Sequence, residues 1–181
     1  MKDVKFNIME KEIQEFLVQS NWIEREYTER AEKDAIKAWE WITTQKGDLK
    51  VSQILKIHNY LLKNIHPEIA GEFRSCDVWI GGHCKVFISE SLLRDNMVQF
   101  CKEFNKVVCL KGQEGVEEKI KNNHVLFEEF HVFQDGNGRV GRLLMNLQRV
   151  RMGLPVHIIH GKGKGDYGFH HEQKEYYSWF K

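Results

Sequence analysis

Apolar residues recur at spacings of three and four along most of the chain, and this period predicts a mainly α-helical protein. The segments with such a stripe are 13–20, 31–42, 51–62, 97–104, 116–130, 139–152 and 167–180. Thr28 can cap the second helix, because its hydroxyl can accept a bond from a free amide of the first turn. The two prolines, Pro67 and Pro155, follow the expected ends of the third and sixth helices.

Residues 68–89 depart from the helical period. Between Glu72 and Ile88, alternating and β-branched residues flank the pair Gly81-Gly82, which predicts a short β-hairpin. We call residues 72–88 the flap. The pattern alone leaves open whether this hairpin only covers the core or also presents a strand edge to a partner.

Length and charge narrow the class of protein. A chain of 181 residues is expected to form one domain, with helices in residues 1–49 packed on residues 50–181. With 27 basic and 26 acidic residues, the chain has no general basic field that would favour nucleic acid. No apolar run is long enough to span a membrane, and the first residues lack the apolar core of a signal peptide. The cysteines show no zinc-type or C-x-x-C spacing, so we expect reduced thiols in a cytoplasmic protein.

The densest chemistry lies in residues 131–142, between two expected helices. His131 can act as a base near neutral pH, and Asp135 offers hard oxygen ligands to a cation such as Mg²⁺. Gly136 and Gly138 allow a tight turn whose amides, with the start of the next helix, form a site for anions. This segment therefore predicts a site for phosphate groups.

Two arginines stand in the first turn of that next helix. Arg139 and Arg142 are three residues apart and so lie on neighbouring positions of one helix face. Cations at a helix N-terminus oppose the helix dipole. Their placement is explained if a polyphosphate lies between them.

The segment resembles the signature of Fic (filamentation-induced-by-cAMP) domains, His-x-Phe-x-Asp/Glu-Gly-Asn-Gly-Arg-x-x-Arg. Every specified position is met, by His131, Phe133, Asp135, Gly136, Asn137, Gly138, Arg139 and Arg142. The family usually has proline after the histidine, where this chain has Val132, a position without a chemical role in the mechanism. The resemblance covers roughly residues 50–180 and implies a helical bundle with a β-hairpin flap.

The resemblance also implies a reaction, the transfer of AMP from ATP to a Ser, Thr or Tyr hydroxyl of a target protein. His131 would take the proton of that hydroxyl, and Asp135 would hold Mg²⁺. The nucleotide would contact the remaining motif residues, Phe133, Gly136, Asn137, Gly138, Arg139 and Arg142.

The flap carries a second part of the resemblance. Seven residues in the flap and directly before it are similar to the Gly-x-aromatic-Arg…Val-x-Ile-Gly-Gly pattern of the family: Gly71, Phe73, Arg74, Val78, Ile80, Gly81 and Gly82. In the family this hairpin pairs with an extended segment of the target protein. Val78, Ile80, Gly81 and Gly82 are therefore the expected docking residues.

An upstream segment resembles the Ser/Thr-x-x-x-Glu-Gly/Asn inhibitory motif that some Fic proteins carry. Ser20 and Glu24 match, and Arg25 departs from the Gly/Asn position. The resemblance implies that Glu24 forms a salt bridge with Arg142 and prevents productive seating of the ATP γ-phosphate. A helix end with a solvated carboxylate is the alternative.

Two further functions remain open at this stage. The enzyme could use another donor, such as UTP or a phosphocholine conjugate, or it could remove AMP with Glu24 positioning a water molecule. A non-catalytic module, such as a toxin–antitoxin component, is the alternative of another class. Retention of both His131 and Asp135 favours an enzyme, because a module without catalysis has no chemical need for both.

Overall fold

The computed structural model describes residues 2–80, 83–110, 112, 114–165 and 171–180. Within these residues the chain forms a helical bundle with one antiparallel hairpin, which confirms the predicted fold class. The elements are α1 (Lys2–Ile23), α2 (Glu29–Thr44), α3 (Val51–Leu62), β1 (Val78–Ile80), β2 (His83–Lys85), α4 (Glu90–Val108), α5 (Val116–Phe130), α6 (Asn137–Met152) and α7 (His171–Ser178).

The predicted helix boundaries are most accurate where the apolar stripe is complete. Thr28 caps α2 as expected, its hydroxyl accepting the amide of Ala31 at 3.2 Å. The prediction for α1 was wrong in length, since the helix begins at Lys2. The predicted stripe begins at Ile13, but no glycine or proline interrupts the residues before it, so nothing in the sequence stops the helix from starting earlier. Helix α4 is likewise longer than its stripe and is capped by the Ser89 hydroxyl.

The N-terminal helices share the core of the bundle. Phe16 and Leu17 of α1 and Trp39 of α2 lie in the same buried cluster as Leu143 and Leu147 of α6. The division at residues 49 and 50 stays a prediction, because a shared core does not mark a boundary. No helix in the described part of the chain is long and apolar enough to cross a membrane.

The hairpin lies beside the loop that joins α5 and α6. Its strands pair Val78 with Lys85 and Trp79 with Cys84. Val78 is buried, whereas Trp79 is 72% exposed, as expected for the two faces of one strand. Ile80 ends β1, and the predicted docking residues Gly81 and Gly82 lie outside the described residues.

Candidate active site

The loop between α5 and α6 is built on left-handed backbone at both ends. His131 ends α5 with φ 42° and ψ 58°, and its amide donates to the carbonyl of Phe127 at 3.3 Å. Gly136 caps the N-terminus of α6 with φ 79°, a conformation that glycine adopts without the steric cost of a Cβ atom. The imidazole and the first amides of α6 therefore flank one short loop.

Two aromatic rings support this loop from the core. Phe133 is fully buried and stacks on the imidazole of His58, with ring centroids 3.9 Å apart and planes 5° from parallel. Nδ1 of His58 accepts the amide of Gly71 at 2.8 Å, so Nε2 carries the hydrogen and donates to the carbonyl of Asp135 at 3.0 Å. Burial lowers the pKa of His58 to about 4, which keeps this ring neutral.

The side chain of Asn137 is engaged within the loop. Its Oδ1 accepts the amide of Phe133 at 3.0 Å, and its Nδ2 donates to the carbonyl of the same residue at 2.8 Å. These bonds hold the turn closed. The predicted nucleotide contacts of Phe133 and Asn137 stay predictions. In this conformation both side chains are buried and support the loop from the inside.

His131 is arranged to act as a base. Its Nδ1 lies 3.2 Å from the carbonyl of Glu128, an acceptor, so Nδ1 carries the hydrogen and Nε2 keeps its lone pair. Burial lowers the pKa of His131 to about 4, and the cations of Arg74 and Lys85 act in the same direction, while the bond to Glu128 opposes them. The imidazole is therefore neutral at pH 7.

Asp135 presents a half-exposed carboxylate at the start of α6. Its Oδ1 accepts the amide of Gly136 at 2.6 Å, and its Oδ2 pairs with Arg139 at 3.0 Å. Among the described residues, no three or more His, Cys, Asp or Glu side chains are grouped so as to hold a metal ion. A lone carboxylate suits Mg²⁺, which is commonly held by one or two carboxylates together with waters and substrate phosphates.

Arg142 is buried and bonded to the end of α1. Its Nε donates to the hydroxyl of Ser20 at 2.9 Å, and its Nη2 donates to the carbonyl of Ser20 at 2.9 Å. The same Nη2 lies 2.7 Å from Oε1 of Glu24. Burial, the largest single influence, disfavours the charge of Arg142, but the Glu24 carboxylate and the neighbouring Tyr176 and Glu128 together outweigh it, so the pKa of Arg142 is raised. Ser20 and Glu24 thus contact Arg142, the arginine that the sequence resemblance indicates as their partner.

Gly138 leaves room for this ion pair. A Cβ atom at this position would meet Oε1 of Glu24, and it would lie 2.8 Å from Nη1 of Arg142. The carboxylate therefore lies beside the first turn of α6, close to Gly138.

The backbone explains why the inhibitory pattern prefers glycine or asparagine after the glutamate. Arg25 has φ 60°, in the left-handed region. Residues with a Cβ atom adopt this region at a cost of roughly 1–2 kcal/mol, which glycine avoids. Arg25 keeps the turn and accepts this cost, so the departure from the pattern does not remove the contact between Glu24 and Arg142.

A second carboxyl group near Arg142 was not singled out from the sequence. The Glu128 side chain is half-buried, and its buried Oε1 has no hydrogen-bond partner in the described part of the structure. Burial raises the pKa of Glu128 to about 8, although the charge of Arg142 opposes the shift, so the group is mainly protonated at pH 7. The sequence feature that could have pointed to Glu128 is its position on the inner face of a predicted helix.

Comparison with known proteins assigns the chain to a family. A model of the Fic/DOC family matches residues 48–148, and the chain belongs to that family. The "Protein adenylyltransferase Fic" of Nematostella vectensis is 30% identical over 137 residues, which cover 74% of this chain and 31% of the relative. The protein of the same name from Drosophila melanogaster is 31% identical over 124 residues, covering 68% and 24%. The chain thus spans less than a third of the length of either relative.

A solved structure agrees with the fold. A Fic-domain-containing signalling protein from Bacteroides thetaiotaomicron superposes with a TM-score of 0.72 at 24% identity, covering 88% of this chain and 69% of that one. At this identity the similarity concerns the fold alone.

Proposed function

We propose that this chain is a protein adenylyltransferase, which transfers AMP from ATP to a Ser, Thr or Tyr hydroxyl of a target protein. The observation that carries the proposal is the loop on which a neutral imidazole, a half-exposed carboxylate and the start of α6 meet. Membership of the Fic/DOC family and the names of the two relatives support the same activity.

The transfer step follows from these groups. The target hydroxyl oxygen forms a bond to the α-phosphorus, the bond from that phosphorus to the bridging oxygen of the β-phosphate breaks, and pyrophosphate leaves. Nε2 of His131 takes the hydroxyl proton, because Nδ1 already donates to Glu128. The first amides of α6 donate toward the phosphate oxygens as charge moves onto them.

Asp135 would hold Mg²⁺, which supplies charge to neutralise the phosphate oxygens. To bind the ion, Oδ2 must share or leave its contact with Arg139. Arg139 has a further donor to offer, since its Nε is buried without a hydrogen-bond partner among the described residues. Its guanidinium, with that of Arg142, suits the β- and γ-phosphates.

Glu24 gives the proposed enzyme an inhibited state. Its carboxylate occupies the guanidinium of Arg142 that the γ-phosphate needs, as the Ser-x-x-x-Glu pattern of residues 20–24 implies. The wild-type chain is then a poor transferase. Withdrawal of Glu24 exposes Arg142 to the triphosphate.

The decisive assay incubates the purified chain, and a Glu24→Gly variant, with Mg²⁺, cell lysate and nucleotides labelled at the α-phosphate. Labelled protein with ATP supports the proposal. Labelling only with UTP, or only with a conjugate labelled in its phosphocholine phosphate, would favour another donor. Release of AMP from labelled protein would favour hydrolytic removal of AMP. Absence of labelling with every donor, while the nucleotide binds, would favour a non-catalytic module.

Transfer is expected to stay constant as the pH falls from 7 through 6.5 and to decline only as it nears 4. The folded pKa of His131 is about 4, below its ordinary value of 6.5, so the base stays unprotonated throughout this interval. The measurement is kcat/KM for the Glu24→Gly variant between pH 4.5 and 8. Folding must be followed at each pH by circular dichroism, because buried neutral histidines cost stability below pH 6.5. A half-maximal rate at pH 6.5 or above would contradict the assignment.

Asp135→Asn is expected to weaken the binding of Mg²⁺ while leaving the loop in place. The amide oxygen of asparagine can still accept the Gly136 amide, but the anionic ligand that Mg²⁺ prefers is lost. Transfer should fall and half-saturation by Mg²⁺ should move at least tenfold higher. Binding of Mn²⁺, followed by electron paramagnetic resonance, should weaken in parallel. Glu68→Gln, a nearby exposed carboxylate, is the control, and an unaltered Mg²⁺ titration in Asp135→Asn would show that Asp135 is only a turn residue.

A further inference from the structure

Arg74 joins the flap to the loop that carries the base. Its backbone amide donates to the carbonyl of Val132 at 2.9 Å. Its side-chain Nε donates to the carbonyl of His131 at 2.9 Å. Residue 74 therefore holds both carbonyls that follow the imidazole.

The other end of the same side chain holds the flap. Nη1 of Arg74 donates to the carbonyls of Cys76 at 2.8 Å and Lys85 at 3.1 Å. Nη2 donates to the carbonyl of Val86 at 3.0 Å. Because Cys76 precedes β1 and Lys85 ends β2, one guanidinium ties both legs of the hairpin to His131.

These bonds require a guanidinium. Arg74 is only 4% exposed, and burial of a charge is costly unless its donors are satisfied. The planar fork carries donors in several fixed directions, so one group can serve carbonyls of the loop and of the flap together. A lysine ammonium keeps the charge but is compact, so it cannot donate to the carbonyls of the loop and of the flap at the same time.

The backbone of His131 needs such support. A non-glycine residue in a left-handed conformation carries strain on the order of 1–3 kcal/mol and keeps it only where its surroundings hold it. His131 has φ 42°, and Arg74 donates to the carbonyls of the two peptide groups that follow, those of His131 and Val132. The conformation that directs the imidazole is therefore coupled to the position of the flap.

We propose that Arg74 is a positioning residue for transfer, which sets the distance between a target segment paired with the flap and Nε2 of His131. This inference rests on the proposed function and on the expectation, drawn from the sequence, that the flap pairs with a segment of the target. Proton transfer needs donor and acceptor roughly 2.6–3.2 Å apart, and a misplacement of about 1 Å can cost on the order of a hundredfold in rate. A guanidinium that bonds to both the flap and the loop of His131 controls that distance.

The first test needs no nucleotide and compares Arg74→Lys and Arg74→Gln with Arg94→Gln. Arg94 is the control because its guanidinium is exposed and lies over the ring of Phe73, 5.3 Å from the centroid. In both Arg74 variants the amides of β2 should exchange with solvent at least tenfold faster. In Arg74→Gln, NMR should also show His131 titrating at higher pH, since a buried neighbouring cation is removed, whereas Arg74→Lys should preserve more of the original titration. Unchanged exchange and titration in both Arg74 variants overturn the proposal.

The second test separates positioning from general stability in the Glu24→Gly background. With Mg²⁺ and ATP labelled at the α-phosphate, AMP can pass to proteins of a lysate or to water, and water does not use the flap. Arg74→Lys should lower labelling of protein at least tenfold more than release of AMP, with ATP binding within about threefold of the parent. An equal loss of both reactions assigns Arg74 a purely stabilising role and overturns the proposal. If the parent itself labels no protein, the proposed transferase function fails, whereas amide exchange and titration still decide whether Arg74 couples the flap to His131.

Discussion

His131→Ala is expected to abolish AMP transfer while ATP still binds. Loss of a general base lowers the rate by roughly a hundred- to ten-thousandfold, which corresponds to about 3–5 kcal/mol of barrier. The contacts proposed for the triphosphate belong to other groups, the amides of α6 and the guanidiniums of Arg139 and Arg142. The measurement is labelling of lysate proteins by the Glu24→Gly variant with and without the second change, alongside calorimetry of ATP binding.

The control for this prediction is His171→Ala, which removes an exposed histidine from the start of α7. It should leave labelling unchanged. If His131→Ala labels proteins as fast as its parent, Nε2 of His131 is not the base. A loss of ATP binding together with transfer would instead indicate that the loop has collapsed, which circular dichroism and amide exchange can verify.

Glu24→Gly is expected to raise transfer by an order of magnitude or more. The wild-type carboxylate lies 2.7 Å from Nη2 of Arg142, so the guanidinium is already occupied when ATP arrives. Even about 1.4 kcal/mol of relieved competition corresponds to a tenfold change. Glu24 lies beyond the last residue of α1, so glycine there does not interrupt the helix. The measurement is the initial rate of protein labelling at fixed ATP and Mg²⁺.

Two further variants identify the source of the gain. Glu24→Gln keeps the shape of the side chain and removes its charge, so it should activate less than Glu24→Gly. The double variant Glu24→Gly with His131→Ala should be inactive, which separates released catalysis from a general loosening of the chain. If Glu24→Gly leaves labelling unchanged in a folded protein that binds ATP, the contact between Glu24 and Arg142 is structural only.

Most of the bundle could be predicted because its helices show their buried faces in the sequence. The stripes of α2, α3, α5 and α6 coincide closely with the helices in the structure. Helix α1 could not be delimited in this way, because the stripe that predicts it starts at Ile13 while the helix begins at Lys2. The period of the apolar residues predicts which face of a helix is buried, and it does not by itself locate the first residue of the helix.

Only part of the candidate site could likewise be predicted from the sequence. Residues 131–142 are contiguous, so their chemistry could be interpreted directly from the sequence. Arg74, His58 and Glu128 were not assigned roles, because each acts through partners that only the tertiary fold supplies. His58 looks like an ordinary member of a helical stripe until its ring is seen between Phe133 and the amide of Gly71.

The space beside Gly138 gives the proposed inhibition the character of a tethered competitor. The carboxylate of Glu24 fills that space, where a glycine leaves room for an anion and Arg142 faces it. A ligand carried on the same chain acts at an effective concentration that can reach the millimolar range and does not fall when the protein is diluted. The occupancy of this space is therefore decided by the stiffness of the turn at Glu24 and Arg25 and by the surrounding concentration of ATP, rather than by the amount of the protein.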